Sequence, residues 1–217
     1  MITYKYYGGD NGIVERYFYN PTANKLVEYM PENVAPNLIT LIGFGFSIAP
    51  FYILFGHYGT NLVNGGVEIP NWFYYFEAFS FLAYRMLDEM DGKQARKTGN
   101  GSPLGLLFDH GCDSMSMGLQ CLIMTKCLQA GNGTPTIIAN ILAISSFHFS
   151  TLEEYYCGGL YLGVGNGVTD GSAGIIAMFI YLGMFGNAWT LNIAFGTWTY
   201  AQIFVYVILI ANSVIIL

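Results

Sequence analysis

Charge is scarce in this sequence. Only 8 of its 217 residues are lysine or arginine and 14 are aspartate or glutamate, so 10% are charged, against about 25% in an ordinary soluble domain. It contains no Lys/Arg-rich run, and its net charge is −6 with a pI near 4.8. That balance excludes a nucleic-acid binder, whose electrostatic footprint is basic. Cysteine is also sparse. Cys112, Cys121, Cys127 and Cys157 lie in or beside apolar stretches without a CxxC pair, which argues against a zinc framework or a disulfide scaffold and leaves them as reduced packing residues. The first twenty residues, MITYKYYGGDNGIVERYFYN, have no uninterrupted apolar core and resemble neither a secretory signal nor an Arg-rich transit peptide. Membrane insertion is expected to rely on an internal helix.

What fills the chain instead is apolar. The sequence is 53% hydrophobic and 17% aromatic with 27 glycines, and its mean hydropathy is +0.43. This composition predicts an all-α, polytopic transmembrane bundle of about six spans. Residues 1–36 read as a polar and aromatic interfacial segment, with an amphipathic helix near Ala23–Tyr29 that would lay Leu26, Val27 and Met30 on the membrane surface before Pro31 and Pro36. Residues 37–217 read as the transmembrane core. Its spans are expected at 37–56, 71–87, 102–128, 136–150, 172–187 and 199–217, with a glycine-rich polar connection from Thr151 to Gly171. This layout puts Lys5, Arg16, Lys25, Arg85, Lys93, Arg96 and Lys97 on one side and Lys126 near the other, the asymmetry expected of a cytosol- or matrix-facing surface. The final run FVYVILIANSVIIL carries no polar tail, so the core is open to being a C-terminally truncated one.

The scarce acids cluster. In DEMDGKQARKTGNGSPLGLLFDHGCD, Asp88 and Asp91 are three apart and Asp109 and Asp113 four apart, so on helices each pair shares a face. The intervening KTGNGS, with Ser102-Pro103 as cap and first helical residue, can fold the two helices together so that the acidic faces meet. Four carboxylates at one shallow depth repel one another and need a counter-charge. Oxygen-only ligands favour hard divalent ions, and two ions held together suit phosphoryl chemistry. Gly92, Ala95 and Gly105 leave space for a bulky phosphate ligand, and Arg96 is suited to bidentate phosphate contact, with Lys97 beside it. Intramembrane Glu77 is expected to pair with Arg85 or to line a cavity. His57 and His148 read as packing or interfacial residues.

The pattern from Asp88 through Asp91, Gly92, Ala95, Arg96, Gly105 and Asp109 to Asp113 resembles the signature of the CDP-alcohol phosphotransferase family. The words APNLITLIGF, DGKQAR, SPLGLLFDHGCDS and TLEEYYCGGLYL resemble its eukaryotic choline/ethanolamine branch. The resemblance implies a six-helix membrane enzyme that transfers phosphoethanolamine or phosphocholine from CDP-ethanolamine or CDP-choline to diacylglycerol, releasing CMP. It implies that Asp88, Asp91, Asp109 and Asp113 hold two divalent cations, Mg²⁺ or Mn²⁺. Gly92, Ala95 and Gly105 would then admit the cytidine diphosphate, Arg96 would hold phosphate, and Asn37 would line the same pocket. Asp113 and His110 both stand as the base that deprotonates the attacking hydroxyl. Glu153 and Glu154 are candidates for head-group recognition or for a solvated loop.

The resemblance further implies endoplasmic reticulum or Golgi, with a mitochondrial membrane also open, and a homodimer or a membrane-complex partner. Two alternatives accompany it. One is a truncated member kept as a structural subunit; the other is a synthase using CDP-diacylglycerol.

Overall fold

A computed structural model describes residues 8–62 and 68–216. It is all-α in its main elements, with seven α-helices among the described residues: α1 (Asn20–Tyr29), α2 (Pro36–His57), α3 (Asn71–Thr98), α4 (Pro103–Cys127), α5 (Thr134–Cys157), α6 (Asp170–Phe185) and α7 (Tyr200–Ile216). A π-helical turn, Glu15–Tyr19, leads into α1. Two small strand pairs complete it: β1 (Gly8–Asp10) lies parallel to β2 (Leu160–Leu162), and β3 (Ile193–Phe195) pairs antiparallel with β4 (Trp198–Thr199) between α6 and α7.

Local chemistry sets the helix ends around the acidic turn. Proline opens α2 and α4, at the position where a missing N–H costs nothing. Gly99 closes α3 with φ +69°, a left-handed conformation that glycine adopts without a Cβ clash, and the Asn100 N–H returns to the Ala95 carbonyl at 3.0 Å. The Ser102 hydroxyl then caps α4 by accepting the Gly105 N–H at 3.1 Å. The expected stop and start are therefore both present, and α3 runs unbroken through Asp88 and Asp91.

Three expectations need correction. Six spans are not what the helices offer: only α2 and α5 are long and apolar enough, by length and composition, to cross a membrane among the described residues. α3 carries too much charge, and α6, at 16 residues, falls short of the about 20 that a bilayer core requires. The stretch after residue 150 is not a loop, because Thr151–Cys157 continues α5 until Gly158 turns left-handed at φ +78°; Leu and Glu are good helix formers and the helix had no reason to stop earlier. Finally, α1 does not lay Val27 on a surface. Ala23 and Val27 pack with Ile39 and Met90, Met30 lies partly buried beside them, and Leu26 alone stays exposed.

The helix is held there by Lys97, whose ammonium donates to the carbonyls of Val27, Glu28 and Met30 at 2.8, 3.3 and 2.7 Å. A cation at a helix C-terminus satisfies orphan carbonyls and complements the dipole. Lys97 thus faces α1 rather than the phosphate-binding side expected for it.

α2 packs against both α3 and α4, α6 against α3, and α5 against α4 and α7. At one end the bundle is filled: Leu54, Ile69, Phe73, Tyr74, Ala78, Ile123, Cys127, Leu128, Phe179 and Leu182 form a continuous buried core. α6 approaches α3 so closely that a Cβ on Gly183 would lie 2.7 Å from the Tyr75 ring. At the other end, where α3 finishes and α4 begins, the helices leave a cavity.

Candidate active site

The cavity has a volume of about 830 Å³. Asp88, Asp91, Asp109 and Asp113 all line it, as do Asn37, Gly92, Ala95, Arg96, Gly105 and His110, so these ten residues reach one space. The i,i+3 and i,i+4 spacings do what helical geometry requires of them. Asp88 meets Asp113 across the gap, and Asp91 meets Asp109. Asn37 belongs to the same wall: its Oδ1 would lie 3.5 Å from a Cβ placed on Gly105, with Ser102 Oγ at 3.3 Å. On the facing helix a Cβ on Gly92 would meet Arg96 Nη1 at 3.5 Å.

Neighbours that the sequence reading did not assign to the acidic cluster fix the carboxylates. Thr40, one turn after Asn37, donates its hydroxyl to buried Asp91. Tyr84 donates to Asp113 Oδ1 at 2.6 Å. Arg85 donates to Asp88 and lies 3.5 Å from Glu89, which Lys93 also reaches at 3.1 Å. Tyr84 and Arg85 stand one turn before Asp88, so the helical period alone could have flagged them. Arg85 is accordingly not the partner of Glu77. That glutamate is buried farther along α3 with Gln120 of α4 as its polar neighbour.

The extension of α5 brings another acid in. Glu154 is buried with its Oε2 3.6 Å from His110 Nε2, whereas Glu153 points outward. His57 and His148 are exposed and do not line the cavity. All four cysteines are free thiols.

The donor set fits a divalent cation. Asp88, Asp109 and Asp113 can each offer an oxygen such that all three lie within 4.8 Å of one another. Asp109 Oδ1 is buried with no hydrogen-bond partner among the described residues, a costly condition that a cation would relieve. Hard carboxylate oxygens suit Mg²⁺ or Mn²⁺ rather than softer metals.

The sequence model of the CDP-alcohol phosphatidyltransferase family matches residues 33–216. The chain belongs to that family. It is 39% identical over 189 residues to the uncharacterized CDP-alcohol phosphatidyltransferase class-I family protein 3 of Dictyostelium discoideum, covering 86% of this chain and 46% of that protein. It is 33% identical over 197 residues to cholinephosphotransferase 1 of Saccharomyces cerevisiae, covering 90% and 49%. Against choline/ethanolaminephosphotransferase 1 of the same yeast the identity is 31% over 187 residues, covering 86% and 47%. The chain thus spans about half the length of the curated relatives it matches. The whole cluster of acids, with Asn37, Thr40, His110 and Glu154, falls inside the matched segment.

Proposed function

We propose that the protein transfers phosphoethanolamine or phosphocholine from a CDP-alcohol to diacylglycerol within a membrane, in the endoplasmic reticulum or Golgi. The observation that carries this reading is the convergence of four aspartates, Arg96 and His110 on one cavity in the family-matched segment, with Glu154 beside His110. Apolar side chains also enter that cavity, among them Phe81, Leu106, Met117 and Ile175, which suits an acceptor whose hydroxyl is attached to acyl chains.

Two divalent ions held by Asp88, Asp91, Asp109 and Asp113 would neutralise the donor's diphosphate when bound. The chain's own residues do the rest. Gly92, Ala95 and Gly105 leave room for the nucleotide, and Asn37 and Arg96 contact it, the guanidinium through paired N–H groups to phosphate. The acceptor's hydroxyl oxygen attacks the phosphorus that bears the head group. A new O–P bond forms, the bond between that phosphorus and the CMP phosphate oxygen breaks, and CMP departs with the electron pair.

The hydroxyl proton goes to His110. Asp113 is less free for that work because it already accepts from Tyr84 and sits among the ligand oxygens. Glu154 then serves as the positioning residue, since its carboxylate stands where it can orient the imidazole and stabilise the imidazolium.

The test is transfer of labelled CDP-ethanolamine and CDP-choline into diacylglycerol by the protein in lipid nanodiscs, with Mg²⁺ or Mn²⁺ and then with EDTA. Product that disappears with EDTA is expected, and its absence from a folded, metal-loaded protein would sink the reading. His110→Ala should lower turnover by about a hundredfold or more, the usual worth of a general base, without moving the metal titration. Asp113→Asn should move that titration.

A further inference from the structure

Residues 8–29 precede the matched family segment, yet they build one wall of the cavity, which Gly9, Asp10, Glu15, Asn20 and Asn24 line. The segment is strapped down from outside. β1 pairs with β2 beyond the end of α5, and the Asn11 N–H extends the ladder to the Leu162 carbonyl at 2.9 Å. Asp10 Oδ1 accepts from Asn166 Nδ2 at 2.8 Å and from the Gly12 N–H at 2.7 Å. Asp170 accepts the Val14 N–H at 2.8 Å and the Gly165 N–H at 2.7 Å. Gly12 is seated so tightly that a Cβ there would lie 2.3 Å from Thr169 Oγ1.

The clasp delivers one side chain to the site with an oxygen left open. Glu15 is 8% exposed and its Oε2 has no hydrogen-bond partner among the described residues. Around it stand Glu89, Asp10, Lys93 and Arg85. Lys93 pairs with Glu89, and Arg85 spends its terminal nitrogens on Asp88 and Glu89, with its buried Nε bonded to neither Glu15 nor any other described residue. A buried carboxylate oxygen in that position is expensive unless an N–H donor reaches it. Among the strap's aromatic rings the buried one, Tyr19, does not offer an alternative, because it already faces the Arg85 guanidinium at 5.8 Å, leaving that face unavailable to a quaternary ammonium.

We propose that Glu15 is a specificity-determining residue that receives the primary ammonium of the donor's head group, so that CDP-ethanolamine is preferred to CDP-choline. This rests on the transfer reaction proposed above. A primary ammonium brings three N–H donors and a positive charge to the unpartnered oxygen. A trimethylated one brings the charge alone.

The experiment compares wild type and Glu15→Gln in nanodiscs, measuring equilibrium binding of CDP-ethanolamine, CDP-choline and CMP with Mn²⁺, and kcat/KM for both donors. Wild type should bind CDP-ethanolamine more tightly than CDP-choline. Glu15→Gln should weaken CDP-ethanolamine by about tenfold or more, the loss expected for a charged hydrogen bond, chiefly in KM, and CDP-choline, which loses only the attraction of the charge, by less, while CMP, which has no head group, stays within about threefold. Glu15→Asp, which keeps the charge, should restore part of the preference. Unchanged discrimination, or equal weakening of both donors together with CMP, would overturn the proposal, the latter placing Glu15 against the cytosine amine. The binding arm reads the preference even if no product forms, so a failure of the transfer reaction is distinguishable from a failure of this assignment.

Discussion

The two ends of the bundle bury charge in opposite ways. At the filled end Lys126 is 2% exposed, and its three ammonium protons meet the carbonyls of Tyr58, Gly59 and Asn61 at 2.9, 2.7 and 2.7 Å. Every donor has an acceptor, so the ion fastens α4 to the turn after α2 and has no spare valence. At the cavity end Asp109 and Glu15 each keep a buried oxygen without a partner among the described residues, and Ser116 Oγ and Gln120 Nε2 are likewise unbonded there. A satisfied buried charge stabilises; an unsatisfied set waits for a ligand. Lys126 and the cavity acids differ in that respect, although Tyr74 and Glu77, in and beside the filled core, also keep a buried oxygen without a partner among the described residues.

Three changes would break or sharpen the contrast. The largest effect is expected at the cavity: Asp109→Asn should reduce transfer at least about a hundredfold, as much as even an outer-shell change around a metal site costs. The metal-free protein should meanwhile melt no lower than wild type, since one of four mutually repelling carboxylates is gone. Transfer assays with and without metal, paired with thermal unfolding, check both halves. A lower melting temperature in the metal-free variant would mean that the acids serve the fold.

Lys126→Met is the converse. Removing the ammonium strands three buried carbonyls, for a loss of about 3 kcal/mol, read as a lower melting temperature in nanodiscs, while kcat per folded molecule stays near wild type. A selective loss of kcat without loss of stability would erase the distinction between the ends.

The smallest effect concerns pH. Burial, and then the neighbouring Glu89, push the Glu15 carboxyl up to about 7 from an ordinary 4.5, with Asp10 adding to the rise and Lys93 and Arg85 opposing it. The folded state therefore holds a proton that the unfolded chain releases. The contribution is fully present below about pH 4.5 and is lost as pH rises through about 7. Glu15→Gln should flatten the fall in melting temperature across that window in ligand-free protein. An unchanged slope would place the titrating group elsewhere.

Much of the site was legible beforehand because its residues are local. Asp88, Asp91, Asp109 and Asp113 obey helical spacing, and the Gly99 stop and Ser102-Pro103 start depend only on neighbouring backbone, so the acidic pairs had to face one another once α3 and α4 formed. Thr40 and Glu154 were not legible as partners, since each comes from a helix remote in sequence, and Glu154 was hidden further by reading the end of α5 as a loop. Glu15 gave no local signal at all. Its place depends on a two-strand pairing between residues about 150 positions apart, which propensity does not announce. The count of six spans was not reproduced for another reason: hydropathy rated each apolar stretch separately, whereas length and composition taken together leave two of the described helices, α2 and α5, long and apolar enough to cross a membrane.

By itself the sequence determined the helical class, the helix ends around the acidic turn and the identity of the four carboxylates, because backbone chemistry and periodicity act over a few residues. The tertiary structure alone decided which buried charges are satisfied and which are left open, because a hydrogen-bond partner is a matter of distance in space. Lys126 and Glu15 are both isolated charges in an apolar chain, and only packing makes one a fastening and the other a receptor.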